Sequence, residues 1–258
     1  MTPEGVDNDR LAGAGHQAVP APTVPAGIRT VPPHSATAIR LVLIRHGEAV
    51  CNVSGVCGGP IGCGGLTGLG RQQVGALRDR LMITGELAGA GALYASVLPR
   101  AIETAELVAP ALAGADSDGR RRPSLSLETE CLLCELHPGQ ADGLTWAEFT
   151  EQFGDLDWDA DPDRPIAPGG ESWRGFVNRV AGALDTIVAR HVGQLVVIAC
   201  HAGVIEASLL AKMPVAGGLA GARMQLRTQH ASMTTWEIEG GRWRLLGYND
   251  AAHALGPG

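Results

Sequence analysis

Two short apolar runs, each followed directly by a histidine, are the clearest feature of the hydrophobic pattern. Residues 41–44 (LVLI) lead into Arg45 and His46, and residues 195–200 (LVVIAC) lead into His201. Unbroken runs of β-favouring apolar residues predict strands that are buried in a sheet. Open α/β sheets place their sites where such strands end. If the two strands are parallel neighbours, His46 and His201 lie at the same edge of one sheet.

The helical spacing of apolar residues predicts the elements between and around these strands. Pro99 occupies the first turn of one predicted helix, and Pro110 is expected to end that helix. Gly240 and Gly241 separate two apolar segments and predict a hairpin at one sheet edge. The predicted helices cover residues 69–87, 99–109, 146–153, 172–191 and 204–212, and the other predicted strands cover residues 93–96, 233–238 and 243–248.

The segment after the first strand, residues 49–65, contains six glycines and is expected to be an irregular loop over the strand end. Its cysteines stand six residues apart, which matches no zinc pattern, so we interpret them as small buried thiols: Cys51, Cys57 and Cys63. Cys131 and Cys134 form a CxxC pair. No second pair or thioredoxin-like context accompanies it, so a redox or zinc role is disfavoured.

The chain divides into an N-terminal tail and one domain. Residues 1–37 contain six of the 16 prolines, several glycines and no periodic apolar pattern, which predicts a flexible tail. The alternative is that this tail covers the site as a lid. Residues 38–258 form the predicted domain, since a chain of 258 residues with 45% hydrophobic content can bury a sizeable core.

Charge and composition narrow the classes of partner. The formal net charge is −7 and no long basic run is present, which argues against non-specific binding to nucleic acid. The sequence shows no signal peptide and no apolar span of about 18 residues, so a cytoplasmic protein without a membrane partner is expected. A homodimer is compatible with the sequence. An anionic ligand would need a locally basic pocket.

Four side chains supply the candidate chemistry: His46, His201, Arg45 and Arg100. Guanidinium groups bind phosphate oxygens in a bidentate fork, and a neutral imidazole can attack phosphorus. Phosphoryl transfer through a phosphohistidine uses both properties. It depends on positioning and charge neutralisation, so we expect no metal and no cofactor at this site.

Six motifs in a fixed order carry a specific resemblance. They are RHGE from Arg45, Asn52 six residues beyond the histidine, LTGLGRQQ from Leu66, SVLPRAIETA from Ser96, GGES from Gly169 and CHAG from Cys200. Together they resemble the histidine phosphatase, or phosphoglycerate-mutase-like, superfamily over residues 41–250. The resemblance implies a three-layer α/β sandwich, with a mostly parallel central sheet and helices on both faces.

The resemblance also implies roles for the matching residues. The catalytic residues would be His46 as the phosphorylated nucleophile, Glu135 as the acid that protonates the leaving oxygen, and His201 as a group that stabilises the transferring phosphoryl. Glu48 and Glu171 match supporting positions. The implied substrate-binding residues are Arg45, Asn52, Gly58, Arg100 and Gly203.

The segment after Glu135 separates branches of the family. Mutases carry an arginine directly after this acid and a tyrosine two residues later, whereas this chain has Leu136, His137 and Pro138. ELHPGQADGLTWAEF looks most like the α-ribazole phosphatases, although Trp-Glu-Gly in those proteins is replaced by residues 141–143 (ADG). We therefore predict a phosphomonoesterase that acts on a small phosphorylated metabolite through phosphohistidine. The alternatives are a phosphoglycerate-type phosphomutase and a non-catalytic phosphate-binding module.

Overall fold

Six strands form one mixed sheet at the centre of a computed structural model that describes residues 35–114, 125–213 and 226–254. The strand order is β3-β2-β4-β1-β5-β6. The first four of these are mutually parallel, and β5 and β6 add an antiparallel hairpin. The strands are β1 (Ile39–Arg45), β2 (Ala92–Ala95), β3 (Leu127–Thr129), β4 (Leu195–Cys200), β5 (Met233–Glu239) and β6 (Arg242–Asp250).

Helices connect the strands, and three of the six described helices begin at a residue whose side chain caps them. Thr67 and Ser172 each accept a backbone hydrogen bond at the start of a long helix, from Gly70 and Gly175. The helices are α1 (Val50–Ser54), α2 (Gly68–Thr84), α3 (Pro99–Leu112), α4 (Trp146–Phe153), α5 (Trp173–Arg190) and α6 (Ala202–Lys212). Short 3₁₀ turns lie at Cys131–Leu133, Gly139–Ala141 and Ala252–Ala254.

Alternation along β1 divides the core into two layers. Leu41 and Leu43 pack on one face against α5 and α6, and Val42 and Ile44 pack on the other face against α2 and α3. The sheet is therefore covered on both faces, and the expected three-layer α/β fold is confirmed. None of the described helices is both long and apolar enough to cross a membrane.

The register of the central strands places the two histidines side by side. Arg45 pairs with Cys200 across β1 and β4, which run parallel. The backbone N–H of His46 donates to the carbonyl of Cys200 over 2.9 Å. His46 and His201 therefore follow adjacent strands at one edge of the sheet, as predicted.

Three expectations about element boundaries were wrong. Pro110 does not end α3, which continues to Leu112, because the loss of one amide donor is tolerated in a last turn that buries apolar residues in the core. Helix α2 ends at Thr84 and not at residue 87, because Gly85 adopts a left-handed conformation that closes the helix. The segment 49–65 is not wholly irregular, since it contains α1. Most of the predicted tail, residues 1–34, lies outside the described residues.

An ion-pair cluster joins α2 to the last strand. The Arg80 side chain is only 6% exposed, and its Nε and Nη2 atoms lie 2.8 Å from Glu86 Oε1 and 2.7 Å from Asp250 Oδ2. Hydrogen bonds from Arg80 lower the pKa of Asp250. This cluster fixes the edge of the sheet to the helical layer.

The substitution Arg80→Met should lower the free energy of unfolding by about 3 kcal/mol, because it leaves the buried Glu86 carboxylate without its partner. Arg244→Met is the matched control, since Arg244 pairs with Glu237 and Glu239 at the surface with a side chain 43% exposed. We expect no measurable change for the control. Urea unfolding followed by circular dichroism measures both, and equal losses would contradict the assignment.

Candidate active site

The two histidines form the centre of a buried polar cluster. Their ring centroids lie 5.2 Å apart, with 62° between the ring planes. His46 is 3% exposed and His201 is fully buried. The rings are thus close enough for both to contact one phosphoryl group.

Arg100 bridges the two imidazoles from the first turn of α3. Its Nε lies 3.2 Å from His46 Nε2 and 3.2 Å from His201 Nδ1. Its Nη1 donates to the carbonyl of Gly58 over 2.8 Å. Because a guanidinium only donates hydrogen bonds, each ring must present a lone pair to Arg100.

The remaining ring nitrogens define the tautomers. His46 Nδ1 lies 2.6 Å from the Gly47 carbonyl and must donate to it, which leaves Nε2 as the free base. His201 Nε2 lies 2.7 Å from Ser96 Oγ and carries the proton of that ring. Burial lowers the pKa of both histidines well below the ordinary value, and the charge of Arg100 lowers them further. Both imidazoles are therefore neutral at pH 7.

Arg45 contributes a second buried guanidinium. Its Nη1 donates to the Thr228 carbonyl, while its Nε is buried and has no hydrogen-bond partner among the described residues. Burial lowers the pKa of Arg45. Since buried donors are almost always paired, this Nε points to a missing acceptor, such as an oxygen of an anionic ligand.

Glu135 is held against the N-terminus of α6. Its Oε2 accepts from the Gly203 N–H over 3.1 Å, and its Oε1 accepts from the Leu136 N–H over 3.3 Å. A Cβ at Gly203 would collide with this carboxylate. Gly203 is thus required for the close approach of Glu135.

Gly58 and Asn52 also lie at the site, in positions that differ from simple substrate contacts. Gly58 approaches Cys51 so closely that a Cβ would lie 2.6 Å from the thiol sulfur, and its carbonyl orients Arg100. The Asn52 Oδ1 accepts from the Ala49 N–H over 3.0 Å and lies 3.2 Å from His230 Nε2.

The two supporting glutamates have distinct partners. Glu171 binds Arg179 in a bidentate pair, with both oxygens 2.7 Å from guanidinium nitrogens. Arg179 in turn donates to the Glu135 carbonyl over 3.3 Å, so this pair positions the segment that carries the acid. Glu48 contacts no arginine within the described residues, and its Oε1 accepts from Thr67 Oγ1 over 2.7 Å.

Most of the predicted site residues line one cavity of about 590 Å³. His201 does not line this cavity. It contacts Arg100, which does. The other lining residues are mainly aromatic and apolar, with Glu206 as an additional carboxylate. The predicted site residues on its wall are Arg45, His46, Asn52, Gly58, Arg100, Glu135 and Gly203.

The glycine- and cysteine-rich segment forms part of the cavity mouth. Asp142 pins it, because its two carboxylate oxygens accept from the backbone N–H groups of Ile61 and Gly62, each over 2.9 Å. All three cysteines of the segment are buried, as expected. Asp142 stands where the sequence departs from the α-ribazole phosphatase pattern, so this departure shapes the cavity mouth.

Comparison with known proteins identifies the family. The sequence profile of the histidine phosphatase superfamily (branch 1) matches residues 41–251. This chain belongs to the histidine phosphatase superfamily.

Three known proteins are similar to this chain in sequence or in structure. The chain is 28% identical to the metal-independent phosphoserine phosphatase of Arabidopsis thaliana, over 83% of this chain and 82% of that protein. A mycobacterial glucosyl-3-phosphoglycerate phosphatase, solved with VO3, is 28% identical with a TM-score of 0.63, over 82% of this chain and 99% of that chain. A phosphoglycerate mutase from Bacillus anthracis shares the fold, with a TM-score of 0.65 and 21% identity. The match covers 84% of this chain and 95% of that chain.

Sequence reasoning missed several residues at this histidine phosphatase site. Ser96 directly follows β2, a parallel neighbour of β4, so its position after a strand was a usable signal. His230 lies 5.9 Å from His46 between ring centroids. It precedes β5, and because β5 is antiparallel to β1, its beginning lies where β1 ends. Thr228 binds Arg45 through its carbonyl, for which the side-chain pattern gives no signal.

Acid should destabilise the folded protein through three histidines of the site, two of them buried and one half-buried. The pKa of His230 is lowered to about 4 by burial and by Arg45, and those of His46 and His201 are also lowered. In the unfolded chain each imidazole binds a proton below about pH 6.5. Below that pH the unfolded state therefore binds more protons than the folded state does. The free energy of unfolding should therefore be largest above about pH 6.5 and should decrease toward pH 4.

The variant His230→Asn isolates one of these groups. Its loss of stability between about pH 7.5 and pH 5 should be smaller than that of the parent, since one depressed pKa is removed. Urea unfolding at the two pH values measures this difference. Identical losses in the two proteins would show that His230 titrates normally in the folded state.

Proposed function

We propose that this histidine phosphatase is a phosphomonoesterase that hydrolyses a small phosphorylated metabolite through a phosphohistidine on His46. The observation that supports this proposal best is the free Nε2 of His46 on the wall of a cavity that also contains the guanidiniums of Arg45 and Arg100. Positioning and charge neutralisation are the main requirements of phosphoryl transfer, so the reaction needs no cofactor. We also propose that the protein is located in the cytoplasm.

Substrate binding would satisfy the unpaired donor. The phosphoryl oxygens accept from Arg45 Nε and from Arg100, which moves its donors from the two imidazoles to the dianion. Asn52 lines the same cavity, and because its Oδ1 accepts from Ala49, its side-chain N–H group would donate to a phosphoryl oxygen. Two cationic groups then balance the two negative charges of a phosphate monoester.

His46 Nε2 attacks phosphorus, and the bond to the leaving oxygen breaks. The donation from His46 Nδ1 to the Gly47 carbonyl fixes the tautomer and stabilises the positive charge that develops on the ring. The negative charge of the bound phosphoryl raises the proton affinity of His201. A protonated His201 can then donate from Nδ1 to the transferring group.

Glu135 is proposed as the general acid for the leaving oxygen and as the base that activates water in the second step. Glu206 lies on the same cavity wall, and burial together with the charge of Glu135 raises its pKa. Like charges at one site favour a shared proton. Glu206 can thus hold a proton close to the proposed acid.

The cavity disfavours the mutase alternative. Of its described lining residues only Arg45 and Arg100 are basic, and both are engaged in phosphoryl binding in this proposal. A substrate carboxylate would instead meet Glu206 and the apolar faces of the lining tryptophans: Trp146, Trp158 and Trp173. We therefore propose a leaving group without a second anionic charge. The non-catalytic alternative is disfavoured because every group that the reaction needs is present.

The intermediate is directly testable. Rapid quenching with labelled substrate should trap acid-labile, base-stable label on the protein, and His46→Ala should abolish both label and turnover, because His46 is the only imidazole among the described residues that line the cavity. Glu135→Gln should reduce turnover of alkyl phosphates by about 10² to 10⁴-fold. It should affect p-nitrophenyl phosphate much less, since that leaving group needs little protonation.

His191→Ala is the matched control for the nucleophile variant, because His191 contacts Tyr94 and Gln194 at the end of α5, away from the cavity. It should retain label and turnover. Full activity of His46→Ala would refute the phosphohistidine mechanism.

The charge of the leaving group is tested by two alkyl phosphates that differ in one carboxylate. We expect kcat/KM for glycerol 3-phosphate to exceed that for 3-phosphoglycerate by at least about tenfold, because the carboxylate would lose its hydration without gaining a cation. Steady-state release of inorganic phosphate measures both. A preference for 3-phosphoglycerate would contradict the proposed substrate class while leaving the phosphohistidine mechanism intact.

A further inference from the structure

Three potential metal ligands surround Glu135 in the sequence and converge in space. They are the thiols of Cys131 and Cys134 and the imidazole of His137. The two sulfurs lie 3.8 Å apart, and Cys131 Sγ lies 3.6 Å from His137 Nε2. All three candidate ligand atoms lie within 4.8 Å of one another, and they form the only such group among the described residues.

These separations match a tetrahedral zinc site. Zinc binds thiolate sulfur at about 2.3 Å and histidine nitrogen at about 2.0–2.1 Å. With tetrahedral angles, those bond lengths require about 3.8 Å between two sulfurs and about 3.5 Å between sulfur and nitrogen. Two of the three separations therefore already match the tetrahedral values, and the third, between Cys134 and His137, is at most 4.8 Å, so a small side-chain shift would bring all three ligands to a common centre.

A surrounding set of contacts orients the histidine. Glu171 Oε2 accepts from the backbone N–H of His137 over 2.9 Å and lies 3.5 Å from His137 Nδ1. A carboxylate on one ring nitrogen leaves the other for a metal and is the usual partner of a metal-binding histidine. Arg179 fixes Glu171 and also donates to the carbonyls of Leu132 and Cys134. The segment is thus held from outside in the shape that the ligands need.

We propose that Cys131, Cys134 and His137 bind one zinc-class divalent ion through two sulfurs and one nitrogen, with the fourth position open to water. Binding forms two metal–sulfur bonds and one metal–nitrogen bond, and it releases the two thiol protons to solvent without any redox change. This proposal departs from the sequence interpretation, in which the CxxC pair lacked partners. The missing partner is His137, three residues beyond Cys134.

The site has a direct consequence for the segment that it occupies. Glu135 stands between two of the ligands, so the ion would tether the residues on both sides of it. The proposed role of the ion is to order this segment, and the ion takes no part in phosphoryl transfer. The inference does not rest on the proposed reaction, because its test reads metal binding and stability.

Cobalt is the probe, since a tetrahedral cobalt–thiolate site absorbs in the visible range and in the near ultraviolet. The full chain, reduced and freed of metal, should take up one equivalent of Co²⁺ with both absorptions, and Zn²⁺ should displace it. Zn²⁺ should also raise the midpoint of thermal unfolding. Cys131→Ser should weaken cobalt binding by at least about tenfold and should remove the rise in midpoint.

Two further variants make the result decisive. Cys131 is exposed, so the Cys131→Ser variant should fold. His137→Gln should lose the cobalt spectrum as Cys131→Ser does. Cys57→Ser is the matched control, because Cys57 is a buried thiol that packs in a cluster without any of the proposed ligands, and it should bind cobalt as the parent does. An unchanged spectrum in Cys131→Ser would overturn the proposal. So would a reduced parent protein that binds no cobalt and instead forms only a Cys131–Cys134 disulfide on exposure to air.

Discussion

The hydrogen bonds from Arg100 to the two imidazoles are the contact on which the rest of the site depends. Arg100 Nε reaches His46 and His201 at equal distances, which is feasible only because β1 and β4 are parallel neighbours in register. Burial lowers the pKa of both rings, and the same contact lowers it further, since a nearby cation opposes protonation. The fold thus holds His46, the proposed nucleophile, in its neutral form without a separate base to deprotonate it.

The parts of the site that were predictable from sequence are those fixed by strand ends. Apolar runs followed by His46 and His201 located the sheet edge, and parallel pairing brought the two residues together. The hairpin and the main helices followed from periodicity in the same way. Boundaries were less predictable, as α3 shows, because tertiary burial of its last turn outweighs the local effect of Pro110.

Other components could not be predicted, because they depend on contacts between distant segments. Glu206 is one turn into α6 and reads as an ordinary helical glutamate, yet the fold brings it to the cavity beside Glu135. The tryptophans of the cavity come from α4, α5 and the loop between them, so no local pattern indicates their common surface. His137 likewise joins the CxxC pair only through the bend of the chain around Glu135. Side-chain composition alone could not distinguish these residues from surface positions.

Arg45 Nε, which has no hydrogen-bond partner among the described residues, affects how the proposed enzyme would respond to its own product. The Arg45 guanidinium would bind phosphoryl oxygens, and it would not distinguish a phosphate ester from free orthophosphate. Inorganic phosphate would therefore compete with substrate for the same donors, and its concentration would set the working rate. Discrimination in favour of the ester must come from the tryptophan-lined part of the cavity, which only an attached organic group can fill.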